Sequence, residues 1–358
     1  MAARPAEPIW LLVATISLLS CRNSRTMAGE GPDVLPRGTA IQIKVPLGLP
    51  PLSFPADNQP TVDTVALGRR LFYDPKVSGD SSLSCASCHN PGLGFTDGKP
   101  VSIGMAARMG RRNAPTVLNA AYLPSQFWDG RAKTLEEQAA GPIANPVEMN
   151  HPHAVFLTEL NADPAYQAAF ERAFGPGPIT MSKVEKCLAS FERTMLSGDS
   201  PFDRYEYGGE KNALSAAAIR GLAVFRDAKK GNCGACHTIG DRYALFTDGK
   251  FHNLGVGMNA QGELTDLGRY EQTKLEADKG AFRTPTLRNV ARTGPYMHDG
   301  SEKTLKEVVD FYVGGGNSNP QLDSQIKPLH LTAQEKDDLV EFLKSLTGVT
   351  PAAAGPGK

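Results

Sequence analysis

Apolar residues recur at helical spacing along most of this chain. Val184, Cys187, Leu188, Phe191 and Met195 fall at i, i+3, i+4, i+7 and i+11, which predicts a helix begun by Ser182 with Glu185 three residues on. Ala218, Ile219, Leu222 and Phe225 make a second stripe. Leu305, Val308, Val309 and Tyr312 make a third, which puts the Tyr312 phenol on a core-facing side and ends at Gly314-Gly315-Gly316. Thr134 with Glu137, Thr304 with Glu307 and Thr332 with Glu335 read as capping boxes. Alternating strand patterns are scarce, so the expected fold is mostly α.

The ends of the chain break this pattern. Arg4 precedes an apolar run from Ile9 to Leu19, too short to cross a bilayer and shaped like a signal-peptide core. It ends Leu18-Leu19-Ser20-Cys21, which reads as a lipobox with Cys21 lipidated; a simple secretory signal is the alternative. Either places the mature protein in the periplasm or another extracytoplasmic space, with membrane attachment through Cys21 in the first case. Residues 28–60 are rich in Pro and Gly, as expected for a tether and extended arm, and the tail from Thr350 reads as disordered.

Between the ends lies an internal repeat. Leu67-Gly68-Arg69-Arg70-Leu71-Phe72, Phe95-Thr96-Asp97-Gly98-Lys99, Arg112-Asn113-Ala114-Pro115-Thr116 and Phe127-Trp128-Asp129-Gly130 return in the same order. Their counterparts are Ile219-Arg220-Gly221-Leu222-Ala223-Val224-Phe225, Phe246-Thr247-Asp248-Gly249-Lys250, Arg283-Thr284-Pro285-Thr286 and Tyr296-Met297-His298-Asp299-Gly300. The expected organisation is a signal segment (1–21), a tether and arm (22–60), two duplicated domains (61–205 and 206–348) and a tail (349–358). A chain of 358 residues can bury two cores. Lys+Arg and Asp+Glu both number 38, so no global field points to nucleic acid.

Each half carries Cys-x-x-Cys-His: Cys85, Cys88 and His89 in the first, Cys233, Cys236 and His237 in the second. The motif attaches haem c through two thioethers and gives iron its proximal nitrogen. Two Cys-x-x-Cys pairs binding zinc are the competing reading, but zinc does not need a His after both second cysteines. Two covalent haem c groups follow, in two cytochrome c-like domains, with redox chemistry or electron relay as the function. Of the remaining cysteines Cys187 is expected to be inert core.

Taken with Ser200-Pro201-Phe202-Asp203-Arg204-Tyr205, these landmarks resemble the bacterial di-haem cytochrome c peroxidase and MauG family over roughly residues 60 to 347. The resemblance implies that hydrogen peroxide reacts at the first haem and that the second takes electrons from a small donor, a cytochrome c or cupredoxin. It also implies that Trp128 sits between the haems, and that Gln138 and Glu148 form the polar pair on the peroxide side. Asn113, Thr293 and Pro295 match a site for one Ca²⁺, whose preference for oxygen ligands suits them. Without the resemblance, Trp128 reads equally as core, Glu148 as solvated surface and Asn113 as a turn cap.

Two positions depart from the family's classical pattern. Met105 stands where a displaceable His is expected, and no His lies between His89 and His151, so the peroxide side is expected to be open without prior reduction. Tyr312 stands where a Met sixth ligand of the second haem is expected, with Met258, Met297 and His298 as competitors and a hydrogen-bonded core Tyr as the plain alternative. A phenolate would lower that haem's potential relative to a thioether. The leading expectation is an extracytoplasmic di-haem peroxidase. The alternatives are a MauG-like enzyme that oxidises residues of a partner protein, and a non-catalytic electron carrier.

Overall fold

The helix Val62–Tyr73 starts at Thr61, whose side chain and Thr64 cap each other, and buries Thr64, Leu67, Gly68, Leu71 and Phe72 on one face. That face crosses the helix Met181–Glu192 at Gly68, where a Cβ would sit 1.9 Å from the Cys187 carbonyl oxygen. The second half repeats the device. Ala216–Arg226 crosses Ala333–Lys344 at Gly221, where a Cβ would meet the Asp338 carbonyl oxygen at 2.0 Å. In each half a Phe four residues on, Phe72 or Phe225, enters the core fully buried. The duplication is therefore one of packing as well as of sequence.

The computed structural model describes residues 1–2 and 35–351, which spans both halves as one compact unit from the arm onward. Residues 3–34, which include the apolar run and Cys21, and the last seven residues lie outside the described residues. No helix among the described residues is long and apolar enough to cross a membrane. Helices dominate; the strands Phe251–Asn253 and Ala281–Arg283 form one antiparallel pair with His252 opposite Phe282.

Two separate apolar cores confirm the two-domain architecture. The first gathers Leu71, Phe72, Phe95, Phe156, Phe170 and Val184 with Cys187, which is fully buried as expected. The second is built on edge-to-face contacts of Phe202, Phe225, Phe246 and Phe342. Phe202, on the helix Pro201–Glu206 capped by Ser200, packs in that second core.

The capping boxes at Thr304 and Thr332 form as read. Thr134 caps the Leu135–Ala144 helix, but Glu137 reaches the Lys133 amide instead of closing the box. The helix expected to begin at Ser182 is capped instead by Thr180, which accepts from the Lys183 amide. The arm is extended and pinned: the Gly48 carbonyl accepts from Arg288 Nη2 and the Ala244 amide, and the Pro50 carbonyl accepts from the Tyr122 hydroxyl. Arg288 also grips Asp203 with two bonds of 2.9 Å, so arm, interdomain helix and second core share one buried ion pair. At the far end the Val349 amide bonds the Gly198 carbonyl, which ties the start of the expected tail to the body.

Candidate active site

Two cavities of ≈ 440 and ≈ 250 Å³ open beside the two Cys-x-x-Cys-His motifs. Packed interiors hold few voids larger than a water, so both are built spaces. Cys85, Cys88 and His89 line the first; Cys233, Cys236 and His237 line the second.

The two histidines are oriented by the same local device. His89 Nδ1 bonds the Phe95 carbonyl at 3.2 Å, and His237 Nδ1 bonds the Phe246 carbonyl at 2.9 Å. Both phenylalanines lie in the repeated Phe-Thr-Asp-Gly-Lys segment with left-handed backbone, φ 61° and 52°. A ring that donates from Nδ1 leaves the Nε2 lone pair for a metal. Burial pushes both imidazoles below their usual range, which favours the neutral, ligating form. These residues therefore suit haem attachment and proximal ligation.

Gln138 and Glu148 line the first cavity together with His89. Gln138 projects from the Leu135–Ala144 helix, and Glu148 follows it in a turn where the Asn145 amide donates to Oε1 at 2.6 Å. Burial raises the Glu148 carboxyl, against the pull of Asn145 and Arg131. A carboxyl so raised exchanges protons nearer neutrality than a solvated one.

The segment bearing Met105 folds into a small hairpin. Ile103 bridges Met109, and the Met105 amide donates to the Glu148 carbonyl at 2.7 Å. Neither Met105 nor Met109 lines the first cavity, and Met109 is 69% exposed. The thioether on the cavity wall is instead Met149, packed in the first core. His89 is the cavity's one histidine among the described residues.

Residues Asn113, Ala114, Pro115, Thr116 and Trp128 line both cavities. Trp128 donates from Nε1 to the Asn113 carbonyl at 2.9 Å, and its own carbonyl accepts from the Arg283 amide at 2.8 Å. The indole is thereby fixed in the wall between the two motifs. Its counterpart in the repeat, His298, lies on the other side of the same segment, with its carbonyl accepting from the Asn113 amide at 2.7 Å.

Leu305, Val308, Val309 and Tyr312 all line the second cavity, as their spacing predicts. Burial and the neighbouring Cys233 and Cys236 push the Tyr312 phenol up, and it makes no hydrogen bond among the described residues. Met297 and His298 share the cavity; Met258 does not. The His298 ring stacks on Phe282 at 3.6 Å, and burial pushes it down to about 4.

The three residues matched to calcium all line the second cavity. Asn113 Nδ2 faces the carbonyls of Lys99 at 2.8 Å and Pro295 at 3.4 Å, and Thr293 lines the same cavity.

Sequence reasoning missed Glu192. It lies 7% exposed on the first cavity, one turn beyond Leu188 on the same wall, and burial pushes its carboxyl up to about 8. The signal was Glu at a core-facing position of a helix end, adjacent to an Arg that pairs elsewhere.

Comparison with known proteins agrees with this geometry in both halves. Residues 62–212 match the family model for di-haem cytochrome c peroxidase, and residues 218–347 match cytochrome c. The methylamine utilization protein MauG of Methylorubrum extorquens is 42% identical over 300 residues, covering 84% of this chain and 82% of that protein. The cytochrome c551 peroxidase of Pseudomonas aeruginosa is 39% identical over 295 residues, covering 81% and 80%. Among solved structures, a MauG-like protein associated with microbial copper homeostasis superposes with a TM-score of 0.77 at 34% identity, covering 86% of this chain and 96% of its own. The di-haem peroxidase BthA of Burkholderia thailandensis gives 0.69 at 28%, covering 91% and 99%. Two cavities with the same histidine support and one shared wall, in a chain this similar to its relatives along nearly all its folded length, place it in the di-haem cytochrome c peroxidase family, with two haem c groups as its cofactors.

Proposed function

We propose that the chain is an extracytoplasmic peroxidase in which hydrogen peroxide is cleaved in the first cavity and the electrons arrive through the second. Membership of the family makes it an oxidoreductase that acts on hydrogen peroxide. The observation that carries the division of labour is that Gln138 and Glu148 share a cavity with His89, while Trp128 lines both cavities.

Cys85 and Cys88 would hold one haem with His89 on its iron, and Cys233 and Cys236 the other with His237. Haem iron supplies the electron exchange needed to break an O–O bond. The net reaction takes two protons and two electrons and releases two waters. Glu148 takes the proton from the proximal peroxide oxygen and returns it to the distal one, a general acid–base role of about 10²–10⁴-fold. Gln138 orients peroxide with its amide. Trp128, fixed at both ends by backbone bonds, provides the path between the two cavities.

Several finer assignments complete the proposal. Asn113 with the carbonyls of Thr293 and Pro295 would hold one Ca²⁺ beside the shared wall, where it would stiffen the coupling between the halves. A small redox protein, cytochrome c or cupredoxin, would donate electrons near the second motif. Cleavage before a lipidated Cys21 would tether the enzyme to a membrane outside the cytoplasm.

A second reading is favoured by one observation: Tyr312, with its free phenol, faces the second cavity. A phenolate ligand there would suit storage of oxidising equivalents and the MauG-like oxidation of a partner protein. An electron carrier without catalysis has no use for a buried Glu148 beside a ligating His.

The test is low-temperature EPR of the as-isolated di-ferric protein, then one equivalent of peroxide. A high-spin signal consumed rapidly by peroxide supports an open first cavity. Two low-spin haems inert until one is reduced overturn it. Peroxide turnover with a cytochrome c donor, set against oxidation of a partner protein, separates the two enzymatic readings.

A further inference from the structure

Three arginines are almost wholly buried: Arg193, Arg283 and Arg288, at 5%, 4% and 2% exposure. Two are neutralised inside the protein. Arg193 holds Glu136 with bonds of 2.7 and 3.0 Å, and Arg288 holds Asp203 with two of 2.9 Å. Arg283 makes no ion pair among the described residues. Its Nε reaches the Phe127 carbonyl and its Nη1 the Thr284 carbonyl, both at 3.4 Å, the weak end of the range. A guanidinium carries five N–H donors and stays charged in proteins, so this is a buried cation with most of its donors unspent. Burying a charge without a partner is strongly unfavourable, and a chain that neutralises its other two buried arginines has left this one for a charge from outside.

The position of Arg283 says what that charge is. It lines the second cavity and not the first, at the end of the strand Ala281–Arg283, and its own amide donates to the Trp128 carbonyl. Cys233 and Cys236, which line that cavity, would hold its haem through the two thioethers. A haem brings two propionate carboxylates of its own, and an Arg fork matches a carboxylate with two parallel bonds. We infer that Arg283 is the counter-ion of a propionate of the second haem, so that the carboxylate edge of this haem is held against the segment carrying Trp128. Arg283 is then a positioning residue: it fixes the rotation of the haem within its pocket while its main chain fixes the bridging indole. The first half has no such cation at the corresponding place: its counterpart is the neutral Asn113, whose amide donates to the His298 carbonyl as that of Arg283 donates to the Trp128 carbonyl.

This inference rests on the placement of the second haem at Cys233, Cys236 and His237, so the two are tested separately. A chain with Cys233→Ala and Cys236→Ala should carry one covalent haem; two would overturn the placement and the propionate assignment with it. In the two-haem protein, Arg283→Gln should shift the propionate bending band of the second haem in resonance Raman spectra. Loss of the nearby cation should also lower that haem's reduction potential, with the first haem's unchanged. Arg283→Lys should recover part of both shifts, and it is the variant to read if Arg283→Gln fails to retain the second haem. If both variants keep two haems with band and potential unaltered, Arg283 does not meet a propionate.

Discussion

Trp128 and Asn113 are joined by an indole N–H to carbonyl bond of 2.9 Å, in a segment whose residues face both cavities. The bond makes the bridging ring part of the wall, held by main chain that also carries the amide matched to calcium. Ring orientation and the geometry of Asn113 are therefore set together. Trp128→Phe keeps an aromatic face but removes the bond, at a stability cost of about 1 kcal/mol. Rapid-mixing spectra after peroxide should show slower oxidation of the second haem while the first reacts normally; equal rates in both proteins would remove Trp128 from the path.

Glu148→Gln keeps the size and the Asn145 contact but cannot carry a proton. The kcat/KM for peroxide should fall by about 10²-fold or more. Because burial raises the carboxyl, the wild-type rate should rise with pH through a pKa above the usual carboxylate range, and the variant should lack that limb. A variant with an unchanged profile would place the proton transfer elsewhere.

Glu192 makes stability depend on pH in a defined direction. Its carboxyl titrates at about 8 when folded, against 4.5 as the reference, so between those values the folded chain keeps a proton that the unfolded chain has lost. Its contribution is full below about 4.5, declines as pH rises toward 8 and is flat above. Melting curves across that interval should fall less steeply in Glu192→Gln.

Asp203→Asn strands the Arg288 guanidinium, which is 2% exposed. Removing one partner of a buried ion pair costs about 3–5 kcal/mol. Denaturant titration should show this loss, together with loosening of the Gly48 segment to proteolysis. A change under 1 kcal/mol would mean that water reaches the pair.

Tyr312→Met tests the second haem's sixth ligand. If the phenolate is on iron, exchange for a thioether raises the potential and changes the charge-transfer bands. An unaltered potential would return the choice to His298 or Met297.

What the sequence made legible were features with a short, rigid signature. The Leu305, Val308, Val309, Tyr312 stripe fell on the cavity because helical spacing alone aims it, and both histidine motifs sit where their thiols must reach one group. Helix starts were less secure: Thr180 won over Ser182 because capping depends on where the preceding turn leaves the chain. Met149 rather than Met105 reached the cavity, since a hairpin turned Met105 away, and hairpin geometry has no helical period to read. Glu192 and Arg283 escaped because a buried charge looks like a surface charge until tertiary packing closes over it. The arm read only as extended; that Gly48 would serve Arg288 and Ala244 required both halves to be in place.

The wall from Asn113 to Thr116 has a further consequence. Residues that face both cavities cannot be altered for one cofactor without disturbing the other, so the two redox centres are not separately adjustable from the middle of the molecule. Divergence of chemistry within this architecture has to be written on the outer faces, where Glu148 and the Met105 hairpin meet one centre and Tyr312 meets the other. Members that share this wall should differ from one another mainly there.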